Sequence, residues 1–438
     1  MRTIPSGSVM ASTRPESPAA APAAPDPAPC PHPSLGVGWT ASAIMDDPTT
    51  AGVLHSAWSG DPALVVPSPP GAGKTRLVVL LAASLAERAK LRVGIAAQTR
   101  DQAVEIARRL GVLGHPVVLA WSATAPAPVL GGAARTAKGW QVRFPPSGGG
   151  VVVATTARWL VSDPGKLSCD LMVVDEAWQA TYADLGALGA FAGQIVCVGD
   201  PGQIDPVVTG RTRRWEGSAT APHLPAPEAL LAAHSEGVSV VQLRHTWRLG
   251  PQTTALIQPV FYPSLPFTSC RPDEYLIGSA GERLPEVVSE PVAATAGPGD
   301  PALVGTCARL ARDLLGSTIV TTDASRPVEA TDLAVVTPHV GQAAAVQALL
   351  ADLPDVLAGT ANQLQGLERP AVVALHPLAG YRDPSGFATD LGRACVMLSR
   401  HRAHLIVVTD TASLDVLAGP DPTPAVTAHR ALLEALVG

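Results

Sequence analysis

Residues 63–75 read Ala-Leu-Val-Val-Pro-Ser-Pro-Pro-Gly-Ala-Gly-Lys-Thr, and their reading decides the fold. Ala63 to Val66 is a short, continuous apolar run of the kind buried in parallel sheets. The next residues are a Pro/Gly-rich loop, and Lys74 to Lys90 has helical composition with no Gly or Pro. Strand, loop and helix therefore follow in order. Within the loop, Pro70, Gly71, Ala72 and Gly73 let the backbone curl so that successive N–H groups face one point beside the positive helix end. That arrangement predicts an anion site, with Lys74 reaching the β/γ-phosphates of a nucleotide and the Thr75 hydroxyl binding Mg²⁺. The expected pattern is G-x-x-x-x-G-K-[ST], and Ser68 stands where its first Gly belongs.

Outward from the loop, alternation continues. Arg92–Ala97, Val117–Ala120, Val151–Thr155, Leu171–Asp175 and Gln194–Gly199 read as further strands, with Arg100–Leu110 helical between two of them. Alternation of this kind predicts an α/β fold, a parallel sheet with helices on both faces. Residues 123–150 read as a loop, with room for a very small insertion. From about Gly237 the alternation restarts: Val238–Leu243, Leu333–Thr337, Ala371–His376 and Leu405–Thr409 read as strands, and Pro301–Leu315, Ala343–Leu353 and Leu391–Ser399 as helices. The expected division is a Pro/Ala-rich tail over 1–38, a first α/β domain over 39–234 and a second over 235–438. The tail reads as a disordered tether or as the product of a misplaced start codon.

Composition narrows the classes. At 438 residues the chain is long enough for two or three domains, and its aromatic content is only 4%, so Ala, Val and Leu build the cores. A net charge of −6 gives no global attraction to nucleic acid or anionic lipid, so any such contact must be a local basic stripe. Six cysteines without C-x-x-C spacing read as buried thiols of a reducing, cytoplasmic protein rather than a disulfide or zinc framework. No apolar run is long enough to span a bilayer, and no signal-peptide core is visible.

Two further stretches carry chemistry. Leu171 to Glu176 is an apolar strand ending in two acids, with Asp175 at the strand tip to hold the metal and Glu176 placed to deprotonate water. Ile195 to Val207 is a second buried strand with a polar tip, where the amide of Gln203 can touch both a γ-phosphate and the attacking water. A solvated acidic strand end and an ordinary turn are the bland readings of these two.

GAGKT, VVDEA and VGDPGQIDPV, taken in sequence, resemble the first-domain motifs of superfamily-1 helicases. In the second half, Leu243-Arg-His-Thr-Trp247-Arg248 resembles the L-x-x-x-(aromatic)-R motif, and Asp332 to Gln342 resembles a VITPYxxQ segment of the nonsense-mediated-decay-helicase branch. Thr360 to Glu368 is similar to T-x-x-x-x-QGxE, and Val396 to Ala403 to VALTRA. The ordered set covers residues from about 60 to 410. The resemblance implies two tandem RecA-like P-loop NTPase domains with ATP in the cleft between them. It implies that Arg248 and Arg400 reach across to the γ-phosphate, that Trp247 stacks on the adenine, and that Gly366 and Glu368 lie near the phosphates and ribose. It also implies a single strand of DNA or RNA crossing both domains, held by Gln98, Thr99 and Arg100 and by Thr155 and Thr156, followed by Arg158. Movement 5′→3′ follows from the branch.

Other residues keep two readings. Arg211, Arg213 and Arg214 form a basic cluster or a solvated loop, and Trp159 and Trp178 stack on bases or fill the core. His401 and His404 are spaced i, i+3 without a further ligand, and His401 stands where the family has Ala. The large insertions used as strand-separating wedges are absent. The expected activity is ATP hydrolysis, with Mg²⁺, coupled to translocation on or unwinding of nucleic acid. The rival is an ATP-gated clamp that holds nucleic acid or a partner without unwinding. A P-loop kinase is a weaker rival, because it needs no second domain with these motifs.

Overall fold

The structure is a computed structural model and describes residues 48–122, 124–145, 148–383, 386–419 and 422–437. The expected tail over 1–38 lies outside the described residues. Eight strands form the first sheet: β1 (Ala63–Pro67), β2 (Arg92–Ala97), β3 (Val117–Trp121), β4 (Ala134–Lys138), β5 (Gly150–Thr155), β6 (Leu171–Asp175), β7 (Ile195–Gly199) and β8 (Val238–Val240). Their order is β4-β3-β5-β2-β6-β7-β1-β8, and every pairing is parallel. The six inner strands, β1–β3 and β5–β7, are buried on both faces, which is why they read as unbroken runs rich in Val, Leu, Ile and Ala rather than as alternating patterns. Helices Lys74–Arg88 and Arg100–Val112 pack on one face around Leu77, Leu81, Ile106 and Leu110. Trp159, Trp178, Leu185 and Phe191 fill the other face.

Beyond it come β9 (His245–Thr246), β10 (Thr268–Ser269) and β11 (Glu274–Ile277), then β12 (Val287–Val292), β13 (Thr318–Thr321), β14 (Ser325–Pro327), β15 (Leu333–Thr337), β16 (Leu357–Thr360), β17 (Arg369–Leu375) and β18 (His401–Asp410). Five of these make a second parallel sheet in the order β12-β18-β17-β15-β16. The three strands β11, β13 and β14 form a small antiparallel sheet beside it. The second core gathers Leu303, Cys307, Val335, Val346 and Val373 on one face and Val336, Val372, Met397 and Val407 on the other.

Three sequence expectations change. Val238–Leu243 does not begin the second sheet. Its strand pairs with β1, and the chain stays beside β1 as Val241 and Leu243 donate to the carbonyls of Val65 and Pro67. Leu243 is buried in the first core, so apolar packing holds this stretch there, and the sheet boundary falls beyond the expected break at 234/235. Residues 123–150 include a strand, β4, whose polar, half-buried sequence Ala-Arg-Thr-Ala-Lys suits the sheet edge and gave no apolar signal. The thiols are free and buried at Cys169, Cys197, Cys307 and Cys395, but Cys270 is disulfide-bonded, which spacing alone could not show. Among the described residues no helix is long and apolar enough to cross a membrane.

Candidate active site in the cleft between the two sheets

In parallel sheets all strand C-termini share one edge, and loops leaving that edge can converge. At β1 the chain leaves through Ser68, which is fully buried. Its N–H (2.9 Å) and its hydroxyl (2.6 Å) both donate to the carbonyl of Gly199 at the tip of β7. The serine in place of the expected glycine therefore fastens the loop to the neighbouring strand. Gly71 and Gly73 follow with φ of 72° and 83°, the left-handed region that favours glycine. Gly71 also lies so close to Thr246 and the Cβ of Arg248 that a side chain there would collide with both. The Trp247 N–H donates to the Gly71 carbonyl (2.9 Å), and the Thr246 hydroxyl to that of Pro70 (2.7 Å). The loop is thus clamped from β7 on one side and from the β9 segment on the other.

Lys74, nine-tenths buried, points its Nζ between two acids, 3.9 Å from Glu176 Oε1 and 3.7 Å from Asp200 Oδ2. Asp175 ends β6 almost wholly buried, and its Oδ1 has no hydrogen-bond partner. Burial first, then the Glu176 charge, pushes the Asp175 carboxyl up to about 7, against the pull of Lys74. Glu176 itself has φ 53°, one of two non-glycine residues with positive φ among the described residues. A side chain held in that sparsely populated region marks a position the surrounding structure over-determines.

Asp200, given no role by the sequence reading, is the hub. Its Oδ2 accepts from Gln203 Nε2 at 2.6 Å, and its Oδ1 from the Gly202 N–H at 3.0 Å and from the Tyr262 hydroxyl at 2.8 Å. Tyr262 follows the Pro251–Phe261 helix, and its ring lies against Gly202 so closely that a side chain on that glycine would not fit. The amide of Gln203 in turn accepts from Gln365 Nε2 at 3.1 Å. Gln365 lay inside the quoted QGxE motif; Tyr262 had no sequence signal, because nothing in the chain links it to residue 200.

From the far side come the arginines. Arg248 Nε donates to Glu368 Oε2 at 2.5 Å, and Arg402 Nη1 lies 3.6 Å from the same carboxylate. Burial would raise the Glu368 carboxyl, but these two cations outweigh it and hold it below its usual range. Arg400 is buried, held by the Val396 carbonyl (3.0 Å) and the Ser399 hydroxyl (3.0 Å). Burial, and next the like charge of Arg248, lower its pKa to about 10.

Lys74, Thr75, Glu176, Gln203, Trp247, Arg248, Gly366, Glu368 and Arg400 all line one cleft of about 810 Å³, together with Gly71, Ala72, Gly73 and Arg76. Pro70 and Asp175 are buried behind its wall. Of the residues expected to hold a strand, Thr99 also lines this cleft, and Gln98, Arg100, Thr155 and Thr156 do not. Thr99 and Thr155 spend their hydroxyls capping helices, accepting from the N–H groups of Gln102 and Arg158 (3.2 Å each). Gln98 is half-buried, and Arg100 is exposed with its guanidinium 6.0 Å from the Trp121 ring centre. Thr156 drops out of the set: it is buried, and its hydroxyl turns back toward the Ala97 carbonyl (3.4 Å). Trp159 is core, its Nε1 donating to the Ile95 carbonyl at 2.9 Å, and Trp178 is buried as well. His401 and His404 are buried and bonded to Thr253 and the Pro285 carbonyl, and no cluster of three metal-ligating side chains occurs among the described residues.

Two family models, each described as an AAA domain, match the chain at residues 50–223 and 306–412. The chain thus carries a stretch similar to an AAA domain on each side of the cleft. Those AAA domains bring nucleotide binding with them. Among solved structures, this chain is similar to the PRRSV helicase at 18% identity and a TM-score of 0.43, over 82% of this chain and 54% of that one. It is similar to the arterivirus nonstructural protein 10 helicase at 16% identity and a TM-score of 0.44, over 83% and 63% of the two chains. The complex of that helicase with DNA matches at 17% identity and a TM-score of 0.44, over 80% and 61%. The chain thus spans just over half to under two thirds of the length of these structures. No curated protein matches.

Proposed function

We propose that this chain is an ATPase that couples hydrolysis to movement along, or unwinding of, a nucleic-acid strand. The observation that carries the reading is the shared cleft, which Lys74, Glu176 and Gln203 enter from the first sheet's strand ends and Arg248 and Arg400 from the second half. The domain division that fits it is an ATP-binding domain that includes the described residues from Pro48 through β8, and a second domain that takes over after it.

The residues divide the work by position. The curled N–H groups of Gly71 to Thr75 and the helix Lys74–Arg88 behind them receive the β- and γ-phosphates, with the Lys74 ammonium among their oxygens. Thr75 and Asp175 supply hard oxygen donors, and the buried, unpartnered Oδ1 of Asp175 fits the role of a magnesium ligand. The ion they hold would neutralise charge on the phosphates. The carboxylate of Glu176 takes the proton of the attacking water, a contribution of about 10²–10⁴ in rate. Gln203, oriented by Asp200 on one side and Gln365 on the other, aligns that water and registers the γ-phosphate. Arg248 and Arg400 place two positive charges where negative charge gathers on the transferring group, worth about 10³–10⁵. Trp247 on the cleft wall supplies an aromatic face for the base. Because the arginines and Gln365 come from beyond the first sheet, nucleotide state sets how tightly the two halves hold each other.

Purified protein is expected to hydrolyse ATP with magnesium, and Lys74→Ala and Glu176→Gln to abolish turnover with the fold kept, as checked by circular dichroism. Tight ATP binding by wild type without turnover would overturn the reading in favour of a clamp.

A further inference from the structure

The segment from Ile106 to Ser162 contains six Lys or Arg and no Asp or Glu, in a chain whose net charge is −6. It is a local basic stripe of the kind that a strand-binding face requires in an acidic protein. Of these, Arg108 and Arg109 lie on the Arg100–Val112 helix and pair with Glu105, whereas Arg135, Lys138 and Arg143 lie on or just after β4 at the sheet edge. In register across the parallel strands, Lys138 of β4 stands beside Trp121 of β3, and Thr155 of β5 beside Ala97 of β2. These are C-terminal strand ends, so Lys138, Trp121, Thr155 and the Gln98–Arg100 turn share the rim of the sheet, spread over three inter-strand steps of about 4.8 Å each. The nucleotide cleft opens on the same rim at β6, β7 and β1 and reaches Thr99 and Gln102 after β2, so the inner end of this rim borders it.

At the outer end of this rim stands Trp140, 83% exposed. It is not on a loose tip. Ala137 before it and Val142 after it are both buried in the core, and Gly139 between β4 and the indole has φ 53°, which turns the chain outward. The indole is therefore held in solvent by anchors on both sides. Arg143, three residues on, and Arg135 on β4 are exposed and make no ion pair among the described residues. Arg100, also exposed, lies against the Trp121 ring further along the rim. Exposed aromatic faces interleaved with cations are what a single-stranded nucleic acid recognises, through base stacking and phosphate contact without reading sequence.

We infer that Trp140 is a base-stacking platform for single-stranded nucleic acid, at the outer end of a track that runs from β4 along the rim to the Gln98–Arg100 turn. The inference rests on the nucleic-acid-dependent reading above and adds to it the place where the strand leaves the first sheet. No inserted domain is needed for that contact: β4 and the turn after it, read as loop from the sequence, supply it.

The test is fluorescence anisotropy of the full chain with labelled oligo(dT) and, in a second arm, oligo(rU), across a salt series. Trp140→Ala is expected to weaken binding about 5- to 100-fold, the stacking contribution of one base, while Trp140→Phe keeps most of it. Arg135→Ala with Arg143→Ala is expected to flatten the dependence of log K on log salt by about 0.7 for each phosphate that is no longer neutralised. Trp58→Ala removes a second exposed tryptophan, on the Pro48–Ser59 helix that packs beside β1, three strands beyond β2, and is expected to change nothing. Loss in one arm and not the other assigns the strand as DNA or RNA. If wild type binds both strands and Trp140→Ala binds them equally well with an unchanged melting temperature, the platform is wrong while the ATPase reading stands. Retained strand binding with loss of a protein partner would make Trp140 a protein-binding residue and equally overturn it. Wild type that binds no strand at all would remove the functional reading itself.

Discussion

Tyr262→Phe isolates a single interaction that sequence reasoning could not see. The hydroxyl lies 2.8 Å from Asp200 Oδ1 and 3.1 Å from the Cys395 sulfur, and the ring is 1% exposed. Burial first, and then the Asp200 charge, push the phenol pKa well above its usual value, so the group donates and does not ionise. Phenylalanine keeps the packing against Gly202 and leaves no cavity, so the change reports the hydrogen bond alone. A bond to an ionised acceptor contributes about 1.5–3 kcal/mol. The Asp200 oxygen retains the Gly202 N–H, which places the expected loss near the middle, about 2 kcal/mol. Units of 150–250 residues shift by about 2–4 °C per kcal/mol, so a fall of about 4–8 °C is expected in a thermal scan, with a matching fall in urea midpoint. Combining the change with Asp200→Asn closes a double-mutant cycle, whose coupling should be most of the single-mutant effect. A loss below about 0.5 kcal/mol, or additive changes, would refute the claim that Asp200 is tied to the second half through this hydroxyl.

The other predictions concern separate parts of the molecule. Ser68→Ala is expected to cost about 1 kcal/mol in urea denaturation, the net value of one buried hydrogen bond, and Ser68→Gly more, because glycine adds backbone freedom to the unfolded chain. Arg248→Ala should lower kcat by about 10³-fold or more in steady-state ATPase assays. His429 on the C-terminal helix is fully buried; burial holds its pKa down to about 4, against the Thr389 carbonyl and Asp390. The unfolded chain takes up that proton near pH 6.5 and the folded one only near 4, so folding loses stability as pH falls between them. His429→Leu removes this dependence: its stability relative to wild type should rise by about 2 kcal/mol between pH 7 and pH 5, measured by urea denaturation at both.

Much of this was legible in the chain. The central strands of both parallel sheets announced themselves because strands buried on two faces must be apolar throughout. The loop at Gly71–Lys74 was readable because only glycine accepts its backbone. Elsewhere the sequence carried less. β4 is polar because it lies at an edge, and β12 contains Pro291 and Glu290 and is half-buried, so neither had an apolar signature. The Val238–Leu243 stretch was read as strand, but composition cannot say which sheet a strand joins. Asp200 and Tyr262 meet only through the fold, as do Arg248 and Glu368, which the motifs placed near one site without pairing them. The serine at 68 departed from a pattern, and its reason, a hydroxyl bonded to Gly199, became visible only when β7 was laid beside β1.

The central claim is that one cleft, closed from both halves, turns over ATP in response to a nucleic-acid strand. The most direct test is steady-state ATPase of the full chain, with magnesium, in the absence and presence of single-stranded DNA or RNA, for wild type and for Glu176→Gln. The account predicts strand-stimulated turnover by wild type and none by the variant. Equal turnover by the two, or turnover that neither strand raises, would contradict it.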